Sequence, residues 1–138
     1  MADVIVQSEL ERRLGIQITE LTPERVVGTM PVAGNTQPFG MLHGGASCVL
    51  AETIASVGAW LHFSRFGGVA VGVEINATHH RPARRGRVEG VATAVHLGRS
   101  YASYDVVIRD EDGRRTCTAR MSCMFRPSEA HPLNGGDQ

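Results

Sequence analysis

The spacing of apolar residues changes along the chain. Between Ile16 and Leu21 and between Arg25 and Val32, apolar and polar residues alternate, which predicts two β-strands joined by a turn at Thr22-Pro23-Glu24. A loop rich in Gly, Asn, Thr and Pro follows over residues 33–42. From Gly44 to about Ser64 the apolar residues recur at intervals of three and four, which predicts a helix facing the core.

Four more alternating segments follow the helix. They predict strands at Val69–Arg81, Arg87–Leu97, Tyr101–Arg109 and Arg114–Phe125, with Gly113 in the last turn. One helix can cover only one face of a sheet of this size. The pattern therefore predicts an α+β fold, in which an antiparallel sheet of about five to six strands wraps around one long central helix. The other sheet face is then free for a partner subunit.

Length and composition fit one folded domain with a core. The 138 residues are 42% hydrophobic, and we place the domain at 16–126, after a short helical lead-in at 1–15 and before a polar flexible tail at 127–138. With 14 basic and 14 acidic residues, the charge balance points to neither nucleic acid nor a membrane surface. The N-terminus lacks the features of a secretory signal, so we expect a cytoplasmic protein. The chain contains no lysine, which excludes Schiff-base chemistry.

The cysteines and histidines do not show the spacing of metal ligands. We therefore expect no metal and no cofactor. An odd number of cysteines (Cys48, Cys117 and Cys123) indicates reduced thiols, and the last two share a strand face, as core-filling residues would. We expect His62 and His131 at the surface.

The predicted helix carries one acidic residue among small side chains. At about 100° per residue, one side carries most of the large apolar residues, which we assign to the core: Ala46, Val49, Leu50, Thr53, Ile54, Val57, Trp60 and Leu61. The opposite side carries Glu52 among small residues, namely Gly45, Cys48, Ala55, Ser56 and Ala59. Small residues allow close approach, so we expect this face to be buried as well. Removal from water would make the Glu52 carboxylate a stronger base. From the helix alone, a plain hydrogen bond at a subunit interface is the favoured interpretation, and a functional role is the alternative.

The start of the helix offers a second chemical group. His43-Gly44-Gly45 lies where backbone N–H groups lack intrahelical partners, and the Gly44 N–H could donate to a developing oxyanion. Gly44 and Glu52 are eight residues apart, roughly 12 Å along one helix. The two groups cannot reach one carbonyl within one chain. If both are catalytic, the spacing predicts a dimer in which Gly44 of one chain meets Glu52 of the other.

The segment Thr36–Ser47, followed by Leu50-Ala51-Glu52 and Ser56, resembles the hotdog-fold thioesterases of the PaaI-like group. It is most similar to the branch with the 1,4-dihydroxy-2-naphthoyl-CoA thioesterase and the enterobactin proofreading thioesterase. The stretches Gly72–His79 and His96–Ser100 are similar to the same branch. The resemblance implies an acyl-CoA thioesterase acting on an aromatic or medium-chain acyl group, assembled as a homodimer with shared sites and further as a homotetramer.

The resemblance also implies roles for individual residues. Glu52 would act as general base or as nucleophile, the Gly44 N–H would polarise the thioester carbonyl, and Ser56 would assist the water or the leaving group. His43 would hold the thioester end and Gln37 would orient the water or the carbonyl. The residues implied to contact CoA are Gly72, His79, Arg81, His96, Leu97, Gly98, Arg99, Ser100 and Tyr101.

Some assignments remain open from the sequence. Arg84, Arg85 and Arg87 form either a solvated turn or a second phosphate patch. Two alternatives to hydrolysis are a non-catalytic acyl-CoA-binding protein and a hotdog dehydratase or hydratase. The dehydratases carry a His followed by Phe-Pro-Gly or an Asp–His pair, and neither pattern occurs here.

Overall fold

The computed structural model describes residues 7–128, which form two helices and six strands. In chain order they are α1 (Glu9–Leu14), β1 (Gln17–Leu21), β2 (Arg25–Pro31), α2 (Gly44–Ser64), β3 (Gly68–His79), β4 (Arg87–Leu97), β5 (Tyr101–Arg109) and β6 (Arg115–Pro127). All strands join one antiparallel sheet in the order β1-β2-β4-β5-β6-β3, and α2 packs on one face of it. The predicted α+β architecture is confirmed. Residues 1–6 and 129–138 of the predicted lead-in and tail, including His131, lie outside the described residues.

The strand β3 ends two residues before the predicted end at Arg81. The N–H groups of His80 and Arg81 both point to the Thr116 carbonyl, at 2.8 and 3.5 Å, so the chain is already turning. Pro82 has no N–H with which to continue the ladder. Arg81 therefore lies in the β3–β4 connection, and strand alternation does not decide which way its side chain points.

The buried side of α2 differs from the predicted one. Its buried residues are Ala46, Ser47, Leu50, Ala51, Ile54, Ala55, Gly58, Ala59, His62 and Phe63. Ala55 and Ala59, predicted to face a partner, thus pack in their own core, whereas Val49, Val57 and Trp60 are only half-buried. Both sides of the helix are apolar, so its periodicity could not identify the inward side. The half-buried apolar side is open to a further partner.

By length and composition alone, α2 could cross a membrane. More than half of its apolar window is buried inside the fold, where it forms the core helix. The composition of this helix is therefore no more than a weak indication of a membrane span.

The strand β3 forms one edge of the sheet and contains a β-bulge. Gly72 pairs with Cys123 and Glu74 with Ser122, so Val73 has no partner on β6. The extra residue reverses the alternation of side chains, which places Gly72 on the same face as His79. Val71 and Val73 are 45% and 50% exposed on this unpaired edge. An apolar edge of this kind can accept another strand.

Candidate active site

A histidine cap fixes the start of α2. The His43 Nδ1 accepts the N–H of Gly45 at 2.8 Å. Because Nδ1 accepts, the neutral ring carries its proton on Nε2, which is left to donate. The Asn35 side chain holds the preceding loop by donating to the carbonyls of Leu14 and Pro31, both at 2.8 Å. The cap and the loop together orient the exposed edge of the His43 ring.

The Gly44 N–H lies beside the imidazole of His79. This N–H has no acceptor within residues 7–128. A Cβ on Gly44 would lie 2.9 Å from the His79 Nε2, so a larger residue at this position would push that ring aside. The structure thus brings together two residues that the sequence had assigned separately, one to catalysis and one to CoA. A carbonyl oxygen placed here would meet an unpaired backbone donor.

Gln37 presents its amide nitrogen rather than its amide oxygen. Its Oε1 accepts the N–H of Phe39 at 2.5 Å and that of Met41 at 3.4 Å, inside the same loop. The amide N–H groups therefore remain available as donors. Phe39, at the tip of this loop, is 82% exposed, which is unusual for a large apolar residue.

Glu52 lies against the middle of β3. A Cβ on Gly72 would lie 2.8 Å from the Glu52 Oε1 and 2.7 Å from the Met121 Cε, so glycine makes room for the carboxylate. The carboxylate has neither an ion pair nor a hydrogen bond within residues 7–128, and it is exposed in the single chain. Burial of Glu52, as predicted from the helix face, would therefore have to come from another chain.

Ser56 and Cys123 lie beside Glu52. The Ser56 Oγ and the Cys123 Sγ are 3.9 Å apart, and Cys123 is fully buried. Burial raises the pKa of the Cys123 thiol, the Ser56 hydroxyl opposes this, and the Glu52 charge raises it further. The thiol stays protonated, so it serves as packing behind the carboxylate and not as a nucleophile. The sequence had assigned Cys123 to the core, and its contact with Ser56 could not be read from spacing.

Within one chain the two chemical groups are far apart. Gly44 contacts the end of β3 at His79, and Glu52 contacts its middle at Gly72. These contacts are separated by roughly 12 Å along the helix and roughly 20 Å along the strand. One chain therefore does not bring these two groups together.

The two segments assigned to CoA are also separated. Neighbouring strands are antiparallel throughout, so β3 ends at one end of the sheet and β4 at the other. His79 and Arg81 thus lie at the first end, and the β4–β5 turn, residues 96–101, lies at the opposite end. Tyr101 is exposed at that turn. Tyr104, by contrast, is buried, and its hydroxyl donates to the Pro23 carbonyl. Burial raises the pKa of the Tyr104 hydroxyl.

His62 holds the β4–β5 turn, which corrects its predicted surface position. It is only 6% exposed, and its Nε2–H donates to the Gly98 carbonyl at 2.5 Å. The Gly98 N–H donates to the Tyr101 carbonyl at 2.8 Å, and the Arg99 guanidinium lies 5.0 Å from the Phe66 ring centre. The last turn of α2 therefore positions the segment assigned to CoA, a role that a lone histidine in the sequence does not reveal.

Comparison with known proteins gives the family. A family model described as the thioesterase superfamily matches residues 39–117. Over 114 residues the chain is 49% identical to the proofreading thioesterase EntH of Cronobacter turicensis, covering 82% of each chain. The chain belongs to the thioesterase superfamily. The EntH of Klebsiella pneumoniae is 47% identical over 116 residues, covering 83% of this chain and 84% of that one.

Solved structures support the same assignment for this thioesterase. A thioesterase from Haemophilus influenzae superimposes with a TM-score of 0.82 at 38% identity, covering 89% of this chain and 86% of that one. A variant thioesterase from Pseudomonas aeruginosa gives a TM-score of 0.82 at 39% identity, covering 86% of each chain. The predicted hotdog fold and the predicted class of enzyme, a hydrolase of thioesters, are thereby confirmed.

The thioesterase shows no cluster of metal-binding side chains among residues 7–128: no three His, Cys, Asp or Glu residues are grouped to hold an ion. The described polar groups are instead backbone and side-chain donors at the start of α2 and a carboxylate in its middle. Donors and a carboxylate suit attack on a carbonyl group.

Proposed function

We propose that this thioesterase hydrolyses acyl-CoA to the free acid and CoA at sites shared by two chains. The observation that carries the proposal is the separation of the donors at Gly44 from the carboxylate of Glu52 within one chain. The CoA segments are separated in the same sense, at opposite ends of the sheet. A two-fold axis that places one end of the sheet beside the opposite end of its partner's sheet would bring together both the Gly44 and Glu52 groups and the two CoA segments.

The unpaired edge of β3 would be the surface at which two chains meet around this two-fold axis. If two β3 strands pair antiparallel so that Gly72 lies opposite the His79 of the other chain, the axis passes near Ile75 and Asn76, midway between them. The pairing would cover the exposed Val71 and Val73. The half-buried apolar side of α2 would then be available to pack against its symmetry mate.

The chemistry follows from the donors and the carboxylate. The Gly44 N–H of one chain, with the free N–H groups of His43 and Gln37, would bind the thioester oxygen and stabilise the negative charge that develops on it. Glu52 of the other chain would either take a proton from the attacking water or attack the carbonyl itself to form a mixed anhydride. Ser56, one turn further along the helix, would position the water or donate to the leaving thiolate. In both routes the C–S bond breaks and CoA leaves as a thiol after protonation. In the second route water then hydrolyses the mixed anhydride, which releases the free acid and restores the Glu52 carboxylate.

The acyl group is proposed to be aromatic or of medium chain length. Phe39, exposed on the loop beside Gly44, and Trp60, on the open side of α2, provide apolar surface for such a group. A hydrolysis panel of benzoyl-, hydroxynaphthoyl-, phenylacetyl- and straight-chain acyl-CoAs, ranked by kcat/KM, tests this assignment. A homotetramer and a cytoplasmic location are proposed with it.

Mixed dimers test the shared site directly. We expect Glu52→Gln and His43→Ala to be nearly inactive alone. When the two are unfolded and refolded together, half of the dimers pair one of each, and one of the two sites in such a dimer is intact. Activity should then return to about one quarter of wild type. No recovery on mixing would contradict the shared site, and full activity of Glu52→Gln alone would favour a non-catalytic role for that residue.

A further inference from the structure

Cys123 stands between two small residues on the face of the sheet that α2 covers. Its register partners are Gly72 on β3 and Ala102 on β5, whose side chains are a hydrogen atom and a methyl group. The sulfur therefore has no bulky cross-strand neighbour between itself and the helix. It lies 3.9 Å from the Ser56 Oγ.

The Ser56 hydroxyl is oriented by this contact and not by its own helix. Serines inside helices commonly bond back to a carbonyl three or four residues earlier. Ser64, the last residue of α2, does so, because its Oγ donates to the Leu61 carbonyl at 2.7 Å. Within residues 7–128 the Ser56 Oγ has a single hydrogen-bond partner, which is the Cys123 Sγ. The sheet therefore decides where this hydroxyl points.

The chemistry of the two groups indicates which one donates. Burial raises the pKa of the Cys123 thiol, so the sulfur keeps its proton near neutral pH. A hydroxyl oxygen accepts hydrogen bonds better than a thiol sulfur does, and the fully buried thiol cannot turn to water for another acceptor. An S–H directed at the Ser56 Oγ satisfies the thiol and leaves the hydroxyl proton unused.

The unused proton lies beside the Glu52 carboxylate. Ser56 follows Glu52 by one helical turn, which places both side chains on the same side of α2. Glu52 contacts Gly72, the register partner of Cys123, so the carboxylate, the hydroxyl and the thiol meet over one pair of residues in the sheet. A hydroxyl held in this place can donate to the attacking water or to the sulfur of the departing CoA.

We propose that Cys123 is a positioning residue for hydrolysis: its S–H donates to the Ser56 Oγ and holds that hydroxyl beside Glu52 with its own proton free. This role rests on the proposed acyl-CoA hydrolysis and adds a residue that the sequence had assigned to core filling. Cys123 acts through Ser56 and does not itself touch the thioester. Its replacement should therefore lower kcat and leave the KM for acyl-CoA nearly unchanged.

Two replacements separate the hydrogen bond from the packing. Cys123→Ala removes the sulfur and leaves a small space, whereas Cys123→Val fills the space without a donor. Both should lower kcat for benzoyl-CoA about 3- to 10-fold, as expected for one lost hydrogen bond, and change KM by less than about twofold. Ser122→Ala is the matched control, because it removes the 3.0 Å hydrogen bond between Ser103 and Ser122 on the opposite face of the same strand. It should keep wild-type kcat.

A double-mutant cycle and infrared spectroscopy test whether Cys123 acts through Ser56. If it does, Cys123→Val should change kcat by less than about twofold in the Ser56→Ala background. The S–H stretching band of Cys123 is the one that disappears in Cys123→Val. Because donation weakens the S–H bond, this band should lie at lower frequency in the wild type than in Ser56→Ala, where the acceptor is gone.

The outcomes distinguish the positioning role from the proposed function. Wild-type kcat in Cys123→Val, equal losses of kcat in both backgrounds, or an S–H band that Ser56→Ala does not shift would each overturn the positioning role, while wild-type hydrolysis stands. If the wild type hydrolyses no acyl-CoA, the proposed function fails and the positioning role fails with it.

Discussion

Replacing Gly72 by alanine should displace the Glu52 carboxylate while leaving the fold intact. The new Cβ would lie 2.8 Å from the Glu52 Oε1 and 2.7 Å from the Met121 Cε. The end of the methionine is flexible and can move aside. Under the proposed function, the carboxylate is the group whose position decides the rate of hydrolysis.

The size of the displacement follows from the contact distance. Non-bonded atoms approach comfortably to about 3.4–4.0 Å, so the oxygen must move by roughly 0.6 Å or more. A misplacement of about 1 Å in a catalytic group can cost on the order of 100-fold. We therefore expect kcat for benzoyl-CoA to fall about 10- to 100-fold. The φ angle of Gly72 is not positive, so alanine should leave stability unchanged or raise it by about 0.4–1 kcal/mol.

Steady-state kinetics and thermal unfolding, measured on the same preparations, distinguish displacement from misfolding. Thr93→Ala, at an exposed position of β4 away from β3, is the control and should keep wild-type kcat. Glu52→Asp retracts the carboxylate, so its effect should be smaller in the Gly72→Ala background than alone, giving a coupling in the double-mutant cycle. A kcat within twofold of wild type for Gly72→Ala, or a loss of activity that merely follows a lower Tm, would refute the reasoning.

Three further predictions follow from individual contacts. Gly44→Ala would place its Cβ 2.9 Å from the His79 Nε2, which should displace the Gly44 N–H. We expect kcat to fall on the order of 100-fold and to recover partly when His79→Ala is added. Full activity of the single variant in steady-state assays would contradict this. His62→Leu removes the donor to the Gly98 carbonyl, so urea titration should show a free energy of unfolding lower by about 1–3 kcal/mol. The KM should also rise more than kcat falls. An unchanged KM would argue against the idea that His62 positions the β4–β5 turn. Burial raises the pKa of Cys117 from 9.0 to about 11, so the unfolded thiol ionises first and the free energy of unfolding should decline as pH rises from 9 to 11. Urea titrations across that range should show a flatter decline for Cys117→Ala, and equal slopes would rule out this source.

The bounds of the strands and of α2 could be predicted to within about two residues, because each element has its own local period. The helix predicted from Gly44 to about Ser64 occupies those residues, since its apolar spacing differs from that of the strands. The inward side of the helix could not be predicted, because it depends on strand register. Gly28 and Gly90 face each other across β2 and β4, and Ile54 fills the hollow between them. The spacing of residues within α2 gives no information about this space, because the two glycines lie on other elements.

Which residues form the site stays a prediction from the sequence, and the contacts that those residues make within one chain could not be predicted. The pair Gly44 and Glu52 followed from helix geometry and the resemblance, and their separation in one chain agrees with that reasoning. The contacts of Gly44 with His79 and of Glu52 with Gly72 depend on how β3 crosses the helix. The burial of His62 depends on the distant Gly98 carbonyl. Such contacts join residues far apart in sequence, which spacing alone does not encode.

Because Val73 has no partner on β6, the alternation of side chains in β3 before this residue is opposite to the alternation after it. Deleting it would give a regular ladder with β6, and the sheet would gain order at its edge. The same deletion would turn every side chain on one side of the break to the opposite face, so Gly72 and His79 could no longer both point at α2. A designer who made this strand regular would therefore, under the proposed function, remove the arrangement of Gly72 and His79 that hydrolysis needs. The β-bulge at Val73 thus makes the sheet less regular and, under the proposed function, serves activity.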